Sequence, residues 1–351
     1  MLTGRGGVAQ VVRANGSYPL CPGFKSLHRH HPLLKNFRRQ LKPGPLRSGQ
    51  RVLVAVSGGG DSVGLLALLL SARPRPDMAL GVAHVHHNLR GQEADRDEIA
   101  AHDLACDLGL PFFCLRLSGG PGRGESVEQW AREQRYEALE SLRADEGWDW
   151  VATGHSLDDQ AETVLMRIAR GTGLRGLAGI LPVSGRVVRP VLDFSGAQLR
   201  EAASGCGLRW IEDSTNLDRR FLRNRVRLDA LPHLEASLPG VSRRLAALAR
   251  LASLSPPRIP DVAAFHGHTV YYDCEALAAL SEGEALEALR DGLRRARGHL
   301  LRIGEVHLRA ILALRTARLG GTAALPGGWQ AVREKKGIRI GPAGATGKEI
   351  P

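Results

Sequence analysis

Three short segments carry residue types and spacings that could do chemistry. Ser57-Gly58-Gly59-Gly60-Asp61-Ser62 follows an apolar run and opens an apolar helical stretch. Its three glycines let the backbone approach phosphate oxygens, and a helix N-terminus behind them offers free N–H groups and a positive dipole end. The lysine of a Walker A loop is missing, so γ-phosphate transfer is not the chemistry it suggests. Asp61 beside phosphates needs a divalent cation between like charges, which makes it a candidate magnesium ligand. By itself a glycine-rich turn serves close packing about as often as it serves a nucleotide. The second segment, His84-Val85-His86-His87-Asn88-Leu89-Arg90-Gly91, ends another apolar run, where α/β sheets place their sites. Zinc is disfavoured there, because adjacent side chains diverge and no cysteine or carboxylate stands at partner spacing. The third, Gly154-His155-Ser156-Leu157-Asp158-Asp159-Gln160-Ala161-Glu162-Thr163, offers Ser156 or Asp158 as the cap of a helix running to Arg170. Asp159 and Glu162 then share one face and repel unless a cation lies between them; an acid-rich helix start stabilised by the dipole is the plain alternative.

Arginine-bearing segments accompany these. Arg132 and Arg135, in Glu125 to Tyr136, are spaced to clamp phosphate, with pairing to Glu128 as the plainer use. Arg170-Gly171-Thr172-Gly173-Leu174-Arg175-Gly176-Leu177 supplies turn glycines and two more arginines. After Asp213-Ser214-Thr215-Asn216-Leu217-Asp218, the arginines Arg223, Arg225 and Arg227 alternate before Leu231-Pro232. They suit an RNA backbone or an adenylate, and a solvated helix start explains them equally well.

The elements that must position these residues read as strands alternating with helices. Strands are expected at 51–56, 79–85, 112–117 and 148–153, and helices at 92–108 and 125–145. That alternation predicts an α/β fold, a doubly wound parallel sheet. After Leu238-Pro239-Gly240 the pattern turns helical, at 241–254, 275–297 and 302–318, and closes in a hairpin. The expected division is an extension outside the fold over 1–32, an α/β domain bearing the glycine loop over 33–238 and a mostly helical domain with a terminal hairpin over 239–351. The first segment is rich in Gly, Pro, Arg and His, resembles a translated tRNA gene, and suggests a true start near Leu33 to Phe37.

The SGGxDS pattern between strand and helix resembles the PP-loop ATP pyrophosphatases, which split ATP into AMP and pyrophosphate. The GHxxDDQxET, RGTGLxGLxGI, E-x-x-AR-x-x-RY and RNxxR…LP segments, in this order, are similar to those of the tRNA(Ile)-lysidine synthetases. The resemblance is strong over roughly 45–235 and weaker from 240 to 340. Gly60 stands where many members have proline, a departure expected to be harmless. The resemblance implies that Ser57, Gly58, Gly59, Gly60, Asp61 and Ser62 hold pyrophosphate, with His84 and His155 in the nucleotide site. It implies magnesium at Asp61 and Asp159, and catalytic roles for Asp61, Asp159, Glu162, Arg132 and Arg225. The tRNA contacts expected are Arg223, Arg225, Arg227, Arg243, Arg244, Arg294 and Arg295. The implied reaction joins free lysine to carbon two of the wobble cytidine in tRNA(Ile) with a CAU anticodon, using ATP. A related tRNA thiolase, an amidotransferase-type synthetase and a non-catalytic tRNA-binding protein are the rivals.

Composition narrows this further. The formal charge is +12, but residues 1–60 hold ten Lys/Arg and no acid, leaving 38 basic and 36 acidic residues elsewhere. Local clusters matter more: nine arginines from Arg219 to Arg258 and eight from Arg290 to Arg318, each against two acids. Solvated helix faces would account for both. Five scattered cysteines without a CxxC pair fit a reducing, cytoplasmic setting and weigh against a zinc, disulfide or thiolase framework. No apolar run approaches membrane-spanning length. The oligomeric state is left open, a homodimer included.

Overall fold

The computed structural model describes residues 10–14, 25–28, 30–42, 44–72, 78–88, 92–120, 127–212, 217–254, 260–298, 300 and 303–344. Leu89-Arg90-Gly91, Glu125 and Asp213 to Asn216 lie outside the described residues. By contact the chain divides into two units, one of 1–166 with 179–250 and one of 167–178 with 251–351. The break after 250 falls ten residues beyond the Leu238-Pro239-Gly240 turn, because most of the following helix stays with the first unit.

The first unit begins with β1 (Gln10–Ala14), α1 (Pro32–Leu41), β2 (Arg51–Ala55), α2 (Gly60–Ala72), β3 (Ala79–His86), α3 (Gln92–Asp107) and β4 (Phe112–Arg116). It continues through α4 (Val127–Asp145), β5 (Trp150–Thr153) and α5 (Leu157–Ala169), and short α6 (Leu174–Leu177) belongs to the second unit. Then come β6 (Val183–Ser184), β7 (Val187–Val188), α7 (Gly196–Gly205), α8 (Leu222–Arg225), α9 (Leu231–Ser237) and α10 (Val241–Leu254). The sheet order is β1-β4-β3-β2-β5-β7-β6, with β4, β3, β2, β5 and β7 parallel and both edges antiparallel. Central strands read as near-continuous apolar runs because both faces are covered: Val52, Leu53 and Val54 are all fully buried. The larger core lies against α1, α2 and α7, and a smaller one beneath α4 around Phe113, Leu139 and Trp148. Within the span expected to lie outside the fold, β1 pairs with β4 and Leu27 enters the larger core.

The second unit is helical within two of the three spans expected, 275–297 and 302–318, but its sheet is wider than a hairpin. It holds β8 (Ala263–His266), β9 (Thr269–Asp273), α11 (Cys274–Ala278), α12 (Glu282–Arg297), α13 (Glu305–Ala313), β10 (Thr322–Leu325), β11 (Trp329–Arg333) and β12 (Gly337–Pro342). Its five strands run antiparallel in the order β10-β11-β12-β9-β8. The helix expected over 275–297 is broken because Ser281 and Glu284 form a reciprocal capping box that starts α12 afresh. Among the described residues no helix is long and apolar enough to cross a membrane.

Candidate active site

The chain leaves β2 toward β3 and β4 on one side, then returns to β5 on the other side of β2. Between β2 and β5 the strand order reverses, and in open α/β sheets ligands bind beyond the strand C-termini at that point. There β2 runs into the glycine loop and β5 into Gly154-His155, and a cleft of about 970 Å³ opens in the first unit. Ser57, Gly59, Gly60, Asp61, Ser62, His84, Arg132, His155, Asp159, Arg223 and Arg227 all line it. Residues spread over 170 positions of sequence thus share one cavity.

The loop is held by its own serines. Ser62 Oγ donates to Gly59 O at 2.9 Å and accepts from Ser57 N at 3.2 Å, while Gly58 takes φ +92°, open to glycine at little cost. A Cβ on Gly154 would lie 2.9 Å from Asp61 O and from Ser62 Cα, so the β5–α5 connection rests directly on the loop backbone. Gly154→Ala must therefore separate two loops that share the cleft. An ångström of displacement in such a site costs about 100-fold, so in the AMP-forming reaction that the resemblance implies, pyrophosphate release with ATP and tRNA should fall by about that factor. An unchanged rate would mean the loops yield freely.

His84 is buried and donates Nδ1–H to Val56 O at 2.9 Å; burial lowers its pKa, so the ring is neutral and joins β3 to the end of β2. Thr153 Oγ1 and His155 Nδ1 lie 2.9 Å apart. Burial, then Arg189, Arg135 and Arg132, hold His155 well below its ordinary pKa against the pull of Asp159. His86 Nδ1 accepts from Asn88 N at 3.2 Å, which leaves its Nε2–H facing Asp95 Oδ1, also at 3.2 Å. Among the described residues His86, Asp95 and Glu98 are the one grouping of three metal-ligand types. That tautomer, and the 2.7 Å pair of Glu98 with Arg116, give it another use.

Asp159 and Glu162 do share a face of α5, and two guanidinium groups lie against them. Ser156 N and Oγ both donate to Asp159 Oδ2, at 2.9 and 3.2 Å, making Asp159 part of the α5 cap. Asp159 Oδ1 takes Arg223 at 2.8 Å and Arg227 at 3.2 Å. Fully buried Glu162 takes Arg223 Nε at 2.7 Å and Arg227 Nε at 2.5 Å. Burial pushes the Asp159 pKa up most strongly, but Arg223, His155, the Ser156 N–H and Arg227 together outweigh it and the net shift is down. Arg223 and Arg227, four apart, meet the acids together across a wide helical turn, Val226–Ala230, that joins α8 to α9.

This geometry corrects three expectations. Both Asp159 oxygens are engaged, so Asp159 does not fit a magnesium ion here. Arg223 and Arg227 face carboxylates in the cleft wall, which leaves them ill placed to grip an RNA backbone. Arg225 is exposed and is not part of the cleft lining, because the helix turns it away from its alternate neighbours. A sequence reading in steps of two cannot anticipate a rotation of about 100° per residue.

Asp61 has no such saturation. Burial raises its pKa to about 6, helped by Asp159 and Asp158 and opposed by Ser156 and Arg200. A carboxylate beside two others, on a loop shaped for phosphate, fits a divalent cation held by one protein carboxylate plus substrate oxygens. Also at the cleft, Arg132 and Arg135 lie over the Tyr136 ring, each 5.4 Å from its centre, and buried Arg189 reaches Tyr136 Oη at 3.3 Å. Burial raises the Tyr136 pKa and the three guanidiniums overcome it, lowering it on balance. That cluster is positive and the loop is rich in N–H groups, as a polyphosphate site requires.

The remaining arginines lie elsewhere. Arg243 and Arg244 are exposed on α10, where Arg244 caps the carbonyls of Leu238 and Pro239. In the second unit Arg294 pairs with Asp291 at 2.6 Å and Arg295 stacks over Phe265. Arg200 and Trp210 line the cleft without belonging to any motif, and no spacing signal marks them.

Residues 30–234 match the family model of the PP-loop domain, well over half of the chain. The chain belongs to the PP-loop family. It is similar to a tRNA(Ile)-lysidine synthase of Solibacter usitatus, 37% identical over 292 residues, covering 80% of this chain and 65% of that protein. A tRNA(Ile)-lysidine synthase of Symbiobacterium thermophilum is 42% identical over 212 residues, covering 58% and 44%. The one from Clostridium perfringens is 33% identical over 310 residues, covering 84% and 66%. This PP-loop chain thus spans about half to two thirds of the curated relatives it matches. Among solved structures, a U34-tRNA thiolase from Methanococcus maripaludis aligns with a TM-score of 0.53 at 19% identity, over 63% of this chain and 79% of that one, which speaks to the PP-loop fold.

Proposed function

We propose that the chain is a tRNA(Ile)-lysidine synthase of the cytoplasm. The observation that carries this is a lysine-free glycine loop with Asp61 at the sheet's switch point, in one cleft with Arg132, Arg135, Arg223 and Arg227. Such a loop holds the β- and γ-phosphates as the leaving group, so AMP rather than phosphate is transferred. The oxygen on carbon two of the wobble cytidine attacks the α-phosphorus and pyrophosphate departs. The ε-amine of free lysine then attacks that carbon, loses a proton, and AMP leaves with the oxygen.

Magnesium, when bound, would sit on Asp61 and neutralise charge on the departing pyrophosphate. The chain's own groups do the rest. The loop N–H groups and the arginine wall orient the triphosphate, and neutral His84 and His155 line the cleft without adding charge. The lysine ammonium would displace Arg227, the more exposed of the two guanidiniums, from Asp159 and Glu162. A thiolase reading is weaker, since none of the described cysteines lines the cleft and Cys114 and Cys206 are buried with raised pKa. The test incubates protein, magnesium, ATP and labelled lysine with tRNA(Ile) transcripts bearing CAU. Label should enter that RNA and not tRNA(Met), with AMP and pyrophosphate formed. ADP as the product, or label in neither RNA, overturns the proposal.

A further inference from the structure

One cationic side chain at the cleft belongs to none of the segments that mark the site. Arg200 stands on α7, one turn in from its Ser195 cap. That helix is fixed against the loop's own helix: a Cβ on Gly64 would fall 2.4 Å from Leu199 O, so the backbones touch next to Arg200. From there the Arg200 stem runs across the glycine loop. A Cβ on Gly60 would lie 2.7 Å from Arg200 Cγ and 3.3 Å from the Trp210 ring, so only a glycine leaves room beneath it. A Cβ on Gly196 would lie 3.2 Å from Arg200 Nη1 and 3.0 Å from Asp61 Oδ1, so the helix start is bare where the guanidinium passes. The Gly60 departure expected to be harmless therefore matches a specific neighbour. The guanidinium ends 3.8 Å from Asp61 Oδ1, and the side chain, which lines the cleft, is 46% exposed.

We propose that Arg200 is a phosphate-binding residue that closes the open side of the glycine loop over the pyrophosphate portion of ATP. The separation from Asp61 is too long for a hydrogen bond and leaves the guanidinium donors free to turn to phosphate oxygens. Gly60 and Gly196 are the space this arrangement needs, and the contact of α7 with α2 sets its reach before any nucleotide arrives. A planar fork matches adjacent phosphate oxygens in a way that a lysine does not.

This inference rests on the nucleotide-site part of the proposed function and not on the identity of the RNA. Binding of inorganic pyrophosphate, ATP and AMP, each with magnesium, is measured by calorimetry on the full chain and its variants. Arg200→Ala should weaken pyrophosphate and ATP about 10- to 100-fold, the range of a charge-assisted hydrogen bond, and AMP less than about threefold. Arg200→Lys should fall between. Gly60→Ala should weaken pyrophosphate by displacing Arg200, and should add nothing further in the Arg200→Ala background. Unchanged pyrophosphate affinity in Arg200→Ala, equal losses for ATP and AMP, or additive effects of the two changes would each overturn the assignment. If the parent itself bound no pyrophosphate, the nucleotide-site reading and this inference would fall together. Loss of pyrophosphate binding in Arg200→Ala, alongside a parent that labels neither RNA, would uphold this inference while ending the lysidine reading.

Discussion

Replacing Glu162 with alanine should lower the melting temperature by about 6–20 °C. The carboxylate is fully buried and takes guanidinium nitrogens from both Arg223 and Arg227. Removing one partner of a buried ion cluster costs about 3–5 kcal/mol, because the charges left behind stay desolvated without compensation. For a unit of this size each kcal/mol moves the midpoint about 2–4 °C. Glu162→Gln keeps the shape and loses the charge, so it should lose most of the same stability. Arg223→Met should be destabilising alone and less than additive with Glu162→Ala, since it removes one of the stranded cations. Thermal melts by circular dichroism compare the parent with these four variants, the double variant included. A shift under about 2 °C in Glu162→Ala would mean the acid does not carry the arginines. Activity should fall with stability, because both guanidiniums line the cleft.

Asp61→Asn should stop the chemistry and strengthen the empty protein. In the proposed reaction, losing the charge proposed to hold a divalent cation would forfeit about 3 kcal/mol or more of leaving-group stabilisation, so pyrophosphate release should drop at least about 100-fold. Stability moves the other way. The folded pKa of Asp61 is raised from 3.8 to about 6 by burial first and by Asp159 next. A carboxyl with a raised folded pKa imposes its cost above both values, so the parent loses stability as pH rises from 3.8 through about 6. Without ATP the variant should melt higher than the parent at pH 8, and the gap should close as pH falls toward 4. Magnesium with ATP should then raise the parent's midpoint and leave the variant's nearly still. A variant that matches the parent in pyrophosphate release would remove Asp61 from the reaction altogether.

The parallel sheet was legible because its strands are short β-branched runs alternating with amphipathic stretches, a pattern that few other folds produce. All four expected strands and the helices around them sit within a few residues of their places. Elements with weak local signals were not. The β8–β9 hairpin turns on Gly267-His268 between residues of mixed polarity, and β6 and β7 are two residues each. The site was legible where motif residues are contiguous: residues of the glycine loop, His84, His155 and Asp159 line one cleft, while Glu162 is buried and does not line it. Roles that depend on partners far along the chain were misread. Asp159 looked like a metal ligand until Arg223 and Arg227, more than sixty residues on, came against it.

By itself the amino-acid order determined which residues stand at strand ends, and hence which can meet a phosphate, because strand and helix periods are local properties of the chain. Tertiary structure alone decided who pairs with whom. Whether Asp61 meets a cation, whether Glu162 is buried beneath guanidiniums and whether Arg200 spans the loop depend on α7 and α8 being carried back to the switch point. Charge interactions act through space in a medium of low dielectric, so their outcome is set by the packing that brings the groups together and not by their separation in sequence.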